Sequence, residues 1–447
     1  MSKILLKDAL ACEPGRISRQ CILIEDGRIS KIAPEINSPA DEVIDCHELL
    51  ALPGMIDAHV HFRQPGMEQK ANIHSESRAA VLGGVTSFME MPNTLPATTT
   101  MDLVRQKQDI AAHESPANYA FYLGAGTDNL EEIKKVDVTS VPAVKVYMGS
   151  TTGNLLLDDE HHLYQVFKNS PLMICAHCED NALINKATKL AKETYGDDIP
   201  FSMHPIIRGR DCCLRSAKLA VNTALDTDAH LHIMHLSTRE ETALLDYFSK
   251  VPLKERQITA EACISHLFFS EADYERKKGF LKCNPSVKTE ADRRALIKGI
   301  KSGAITTVGT DHAPHELKVK TGTYLNTASG MPSVQFALQA LIELWLRREI
   351  TLEELIAVSS KNPAELYQIK DRGALKEGYF ADIALVNLYK PCMVGKDNIA
   401  SLCGWSPFEG FRFSSSIVHT IVSGNLVVKN GRLTENGCGR ALYFERG

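Results

Sequence analysis

The chain has 447 residues, 44% hydrophobic and 23% charged, with a net charge of −5, too long for one simple core and suited to a large catalytic domain plus a smaller one. The charge balance excludes the basic footprint of a nucleic-acid or anionic-membrane binder, and no run of about 18 or more apolar residues predicts a membrane span. The opening Met1-Ser-Lys-Ile-Leu-Leu-Lys7 lacks the pattern of a signal peptide, and twelve cysteines without a repeating frame point to a reducing cytoplasm.

Residues 1 to about 50 read as short strands, Ile4-Leu-Leu, Cys21-Ile-Leu-Ile and Ile29-Ser-Lys-Ile, separated by Pro-Gly and Asp-Gly turns. The stretch from about 373 to 447 has the same character, and the two ends are expected to form one small β domain. Between them, over 51–372, apolar runs begin near Leu52, Val85, Tyr119, Ala143, Leu172, Leu231, Ile258 and Ile305. Helix-like segments fill most gaps, such as Ser75 to Leu82, Asp180 to Thr194 and Asp211 to Leu225. This alternation predicts an α/β fold, a (β/α)8 TIM-type barrel.

Catalytic groups in such a barrel sit at the C-terminal ends of strands. Asp57-Ala-His59-Val-His61 ends the first run, and strand alternation turns both histidines to one side. Alone, the pair could be structural. Further along, Lys145 lies in Val144-Lys-Val-Tyr-Met-Gly149, His177 in Cys175-Ala-His-Cys178, His235 in His232-Ile-Met-His235, and Asp311 in Asp311-His-Ala-Pro-His315. Recurrence at five strand ends predicts a site for two divalent metals, most simply zinc, with manganese or cobalt as alternatives. His59, His61 and Asp311 would hold one metal, His177 and His235 the other. A protonated lysine offers no lone pair, but Lys145 deprotonated by burial can react with carbon dioxide, supplied as bicarbonate, to give a carbamate that bridges both metals. Asp158 or Asp159 is the alternative bridge. Asp311 is the expected general acid/base. Cys175 and Cys178 read either as a redox pair or half a zinc site, or as buried thiols on a strand, the reading preferred here.

At these residues the chain resembles the amidohydrolase superfamily, and most closely its dihydroorotases, over nearly its whole length. The shared motifs are Asp57-Ala-His-Val-His-Phe-Arg63-Gln-Pro-Gly66, Met91-Pro-Asn93-Thr94, Lys145-Val-Tyr-Met-Gly149, Lys282-Cys-Asn284-Pro285, Asp311-His-Ala-Pro-His315 and Ser329-Gly330-Met-Pro332. The resemblance implies reversible hydrolysis of L-dihydroorotate to N-carbamoyl-L-aspartate, a step of pyrimidine (UMP) synthesis. It implies that Arg63, Asn93 and His315 clamp the substrate carboxylate and that Asn284 and the Ser329-Gly330 backbone contact the ring. In the family pattern allantoinases carry Asn at the position of Arg63, and hydantoinases lack the Arg-x-Pro-Gly run. Gln64 departs from the Glu that many relatives carry. The rivals are another cyclic amidase, acting on allantoin or a hydantoin, and a non-catalytic scaffold, which would have lost ligands that this chain retains. The expected partner is a small-molecule substrate, with no nucleic acid and no membrane, and a homodimer is compatible with the sequence. The polar segment from His315 to Ser329 is the expected closing loop.

Overall fold

A computed structural model describes residues 3–13, 16–149, 154–434 and 439–446. The chain begins with strands β1 (Ile4–Glu13), β2 (Arg16–Glu25), β3 (Arg28–Ala33), β4 (Glu42–Asp45) and β5 (Leu49–Pro53). It then forms β6 (Met55–Val60), β7 (Val85–Glu90), β8 (Asn118–Phe121), continued by β9 (Leu123–Gly124), and β10 (Val144–Tyr147). After these come β11 (Ile174–His177), β12 (Leu231–Ile233), β13 (Ile258–Cys263) and β14 (Thr307–Gly309). The last strands are β15 (Ile383–Asn387), β16 (Cys392–Met393), β17 (Arg412–Phe413), β18 (Ser416–Val422), β19 (Asn425–Lys429) and β20 (Arg432–Leu433).

Strands β6 to β14 pair in parallel, β6–β7–β8 and then β9 through β14 in order. The ring closes where Val60 bridges His312 and the His61 N–H donates to the His312 carbonyl at 2.7 Å. Every residue of these strands is buried, because one face fills the barrel and the other lies under helices; hence the near-continuous apolar runs. The expected helices are present as Ile73–Leu82, Asn181–Tyr195 and Arg210–Thr227. Their starts follow from local chemistry: Asn72 and Ser75 form a capping box, and Asp180 accepts from the Leu183 N–H at 3.0 Å. Gln64, the departure from the family pattern, accepts from the Ile73 N–H at 2.9 Å and so serves this first helix.

The terminal strands form one nine-stranded sheet in the order β20-β19-β18-β15-β5-β1-β2-β3, with β4 beside β1. Both chain ends therefore build it. One expected strand start is corrected here. Leu52 lies in β5, paired to β1 and β15 of this sheet, and the barrel begins only at Met55. The two strands read as one apolar run because a single residue, Gly54, separates them. A Cβ at Gly54 would lie 2.2 Å from Thr86 Oγ1, so only glycine lets the chain pass this close to β7. No helix among the described residues is long and apolar enough to cross a membrane.

Candidate active site

The six expected ligands and the expected substrate contacts, Arg63, Asn93, Asn284, His315, Ser329 and Gly330, line one cavity of about 310 Å³ at the C-terminal mouth of the barrel, where Lys70, Tyr147 and Ala313 join them. The strands account for the convergence. His59 and His61 follow one face of β6, Lys145 sits on β10, and His177 ends β11. His235 and Asp311 lie two residues past β12 and β14.

Three histidines each give one ring nitrogen to an orienting acceptor. His59 Nδ1 donates to Glu261 Oε1 at 2.6 Å, His61 Nδ1 to Asn93 Oδ1 at 2.7 Å, and His177 Nε2 to Glu179 Oε2 at 2.9 Å. Each remaining nitrogen then carries its lone pair inward. His59 Nε2 and His61 Nε2 lie 3.3 and 2.9 Å from Asp311 Oδ1, and His177 Nδ1 lies 2.8 Å from His235 Nε2. Lone pairs facing each other at such distances repel unless a proton or a cation lies between them. His59, His61 and Asp311 meet the spacing of a metal-ligand group, so the donor chemistry fits divalent cations with nitrogen and oxygen ligands.

Electrostatics favour the ligating forms. Burial lowers His61 to about 4, against the raising effect of Asp311, and lowers His177 and His235 as well. Burial alone would raise Asp311, but His59, His61 and Lys145 overcome it and hold the carboxyl well below its ordinary range. Lys145 is fully buried, its Nζ 2.9 Å from Met234 Sδ and 4.8 Å from the Tyr147 ring centroid. Burial lowers its pKa and the Cys175 thiol and Asp311 only partly restore it, which favours the free amine. The alternative bridges do not reach the cavity: Asp158 and Asp159 are exposed, and Asp159 caps the helix Glu160–Asn169. Residues 150–153, just past the Lys145–Gly149 motif, lie outside the described residues.

Arg63 is buried beside these groups. Its Nε donates to the Pro314 carbonyl at 3.3 Å, and its Nη2 lies 3.2 Å from His315 Nε2. Among the described residues it makes no ion pair. His315 Nε2 also donates to the Ser329 carbonyl at 2.9 Å, and burial with the Arg63 charge lowers its pKa to about 2, so the ring is neutral. Asn284 Oδ1 is buried without a hydrogen-bond partner among the described residues, an acceptor turned to the cavity's side of the chain with nothing to accept. The Gly330 N–H is already committed to the Lys282 carbonyl at 2.9 Å. Any ring contact from that backbone therefore falls to its carbonyl oxygens or to Ser329.

Of the residues that orient these histidines, Asn93 was named from the sequence as a substrate clamp, whereas Glu261 and Glu179 escaped the sequence reading. Glu261 stands at the middle of β13, and its sequence signal is an acid inside the apolar run Ile258-Thr-Ala-Glu261-Ala-Cys263. Glu179 is held by Arg208, whose Nε and Nη2 donate at 3.1 and 2.8 Å. Asp57 accepts from the Thr310 N–H and Oγ1 at 3.1 and 2.6 Å, tying β6 to the segment that carries Asp311. Cys175 and Cys178 are buried free thiols. Cys175, pushed up to about 12 by burial, contacts Tyr367 Oη at 3.5 Å, so the buried-thiol reading stands. The segment expected to close over substrate is stapled in place: Lys282 Nζ donates to the Tyr324 and Thr327 carbonyls at 2.6 and 2.7 Å, and Lys320 Nζ to those of Ala328 and Gly330 at 2.7 and 2.9 Å.

The chain resembles known proteins over nearly its whole length. It is 30% identical to a dihydroorotase of Methanosphaera stadtmanae over 431 residues, 96% of each chain. It is 28% identical to an allantoinase of Bacillus velezensis over 443 residues, 97% of this chain and 96% of that one. The structure superposes on the L-hydantoinase (dihydropyrimidinase) of Arthrobacter aurescens with a TM-score of 0.92 at 24% identity, covering 99% of this chain and 100% of the other. The Amidohydrolase family profile matches residues 50–427. The profile over most of the chain and the relatives at about 30% identity, on a barrel with a terminal sheet, establish that this chain is a cyclic-amide-hydrolysing enzyme and belongs to the amidohydrolase family.

Proposed function

We propose that this enzyme is a dihydroorotase, interconverting L-dihydroorotate and N-carbamoyl-L-aspartate in pyrimidine synthesis. The observation that carries the reading is Arg63: a buried guanidinium without an acidic partner among the described residues, two positions after His61 and in the same cavity. A planar fork of donors with no ion pair among the described residues suits a substrate carboxylate, which dihydroorotate has and allantoin and simple hydantoins lack.

Zinc ions held by His59, His61 and Asp311, by His177 and His235, and by carboxylated Lys145 between them would supply Lewis-acid polarisation of the amide carbonyl and acidify water. The chain's own groups do the rest. Arg63, Asn93 and neutral His315 hold the carboxylate, so that the scissile amide is presented in one orientation. Asn284 Oδ1 offers an acceptor to a ring N–H. Asp311 takes the proton of the attacking water and returns it to the departing amide nitrogen. In ring closure the same proton moves the other way. The free thiols agree with a reducing cytoplasm as the working compartment.

The test is a substrate panel on the zinc-loaded enzyme with bicarbonate, following dihydroorotate by ultraviolet absorbance beside allantoin and a hydantoin. Dihydroorotate should exceed the others by about 100-fold in kcat/KM, chelation should abolish turnover, and Arg63→Met should remove about 100-fold of the dihydroorotate activity. Preference for allantoin or a hydantoin would replace this reading with that of a different cyclic amidase.

A further inference from the structure

Between β16 and β17 the chain leaves the terminal sheet for an excursion, residues 394–411, closed at its base by pairing of Cys392 with Phe413 and Met393 with Arg412. The excursion reaches the barrel mouth. Trp405 is 2% exposed, and its Nε1–H donates to the His315 carbonyl at 2.8 Å. Its indole packs edge-on to Phe280, centroids 5.2 Å apart, and Lys320 Nζ lies 5.4 Å from the indole centroid. That lysine grips the Ala328 and Gly330 carbonyls, so Trp405 touches the loop both at His315 and, through Lys320, beside Gly330.

A second tether lies four residues earlier. Ser401 Oγ and the Leu402 N–H donate to the buried Glu76 carboxylate at 2.6 and 3.0 Å, and the same carboxylate takes His312 Nε2 at 2.8 Å. One excursion from the small domain is thus fastened to the start and the end of the segment that carries His315, Ser329 and Gly330. An indole N–H satisfied by a backbone carbonyl fixes main chain, not a side chain. Its effect is on where the His315 ring meets Arg63.

We infer that Trp405 is a positioning residue for the carboxylate-binding wall, acting through the His315 main chain while touching no substrate. The ligand's identity rests on the dihydroorotase reading; the mechanical claim does not. Trp405→Phe removes the donor together with part of the buried indole, and Ser401→Ala removes the side-chain half of the second tether, leaving the Leu402 N–H bond and the first tether in place. In Trp405→Phe, KM for dihydroorotate should rise about fivefold, the loss expected of one neutral hydrogen bond, with kcat within about twofold and a modest fall in melting temperature from the smaller buried ring. Amide hydrogen exchange over 313–330 should quicken in Trp405→Phe and, at the His312 end, in Ser401→Ala. A fall in kcat at unchanged KM would mean a merely structural role and overturn the inference, as would unchanged exchange in that segment. If the wild-type enzyme fails to turn over dihydroorotate, the substrate reading falls, and the exchange comparison alone decides the role of Trp405.

Discussion

Asp311 has a φ of +48°, His235 +42° and Arg63 +70°. Three of the cavity's functional side chains thus sit on left-handed backbone, which costs a non-glycine residue roughly 1 kcal/mol or more. The surroundings enforce it: Asp57 anchors Thr310 immediately before Asp311, and the His312 carbonyl is held by the His61 N–H. Asparagine tolerates this conformation nearly as well as aspartate, so Asp311→Asn tests chemistry with little disturbance of the fold. Turnover should fall about 1,000-fold, in the range of a lost general acid/base, while metal analysis still finds bound zinc. Near-normal kcat in a well-loaded variant would remove Asp311 from the proton-transfer step.

At the scale of elements, the strand ends and the segment after β14 divide the work. The strands place the ligands, because a period of two puts alternate side chains at the mouth. The segment from Ala313 to Gly330 builds the wall facing them. Gly330 has a φ of +134°, and a Cβ there would stand 2.5 Å from the Ala313 carbonyl oxygen and 3.0 Å from His315 Cδ2. Gly330→Ala must therefore push the two ends of the wall apart. A drop in kcat/KM of about tenfold or more is expected, with a lowered melting temperature because alanine is strained at this φ and meets main chain. Unaltered kinetics in this variant would show that the wall's spacing does not matter to substrate.

Across the whole molecule, the chain's last described residues return to the barrel. Ala441 bridges Tyr119 and Phe444 bridges Ile369. Phe444, fully buried with Leu442, packs in a cluster with Ile56, Met89, Tyr122 and Tyr367 inside the barrel. Arg446 donates to the carbonyls of Val141, Pro142 and Tyr367 at 3.0, 2.8 and 2.7 Å. Phe444→Ala should cost about 3–5 kcal/mol of stability through the cavity it leaves, read as a lower urea midpoint, with kcat of the folded enzyme retained because the site lies at the opposite end. An unchanged midpoint would mean that the tail only decorates the surface.

The sequence by itself pointed to the barrel and to six candidate ligands, which the structure brings to one cavity. His59, His61, Lys145, His177, His235 and Asp311 are recognisable because each stands at or just past an apolar run, and strand periodicity converts that position into a direction. The orienting partners were decided only by the tertiary structure. Glu261 is 202 positions from His59, Trp405 is 90 from His315, and Glu76 is 325 from Ser401; no local period relates such residues. Their meeting depends on how the ring of strands closes and where the terminal domain sends its excursion. The break at Gly54 was hidden for the same reason: β5 and β6 have the same apolar composition, and only pairing with different neighbours separates them.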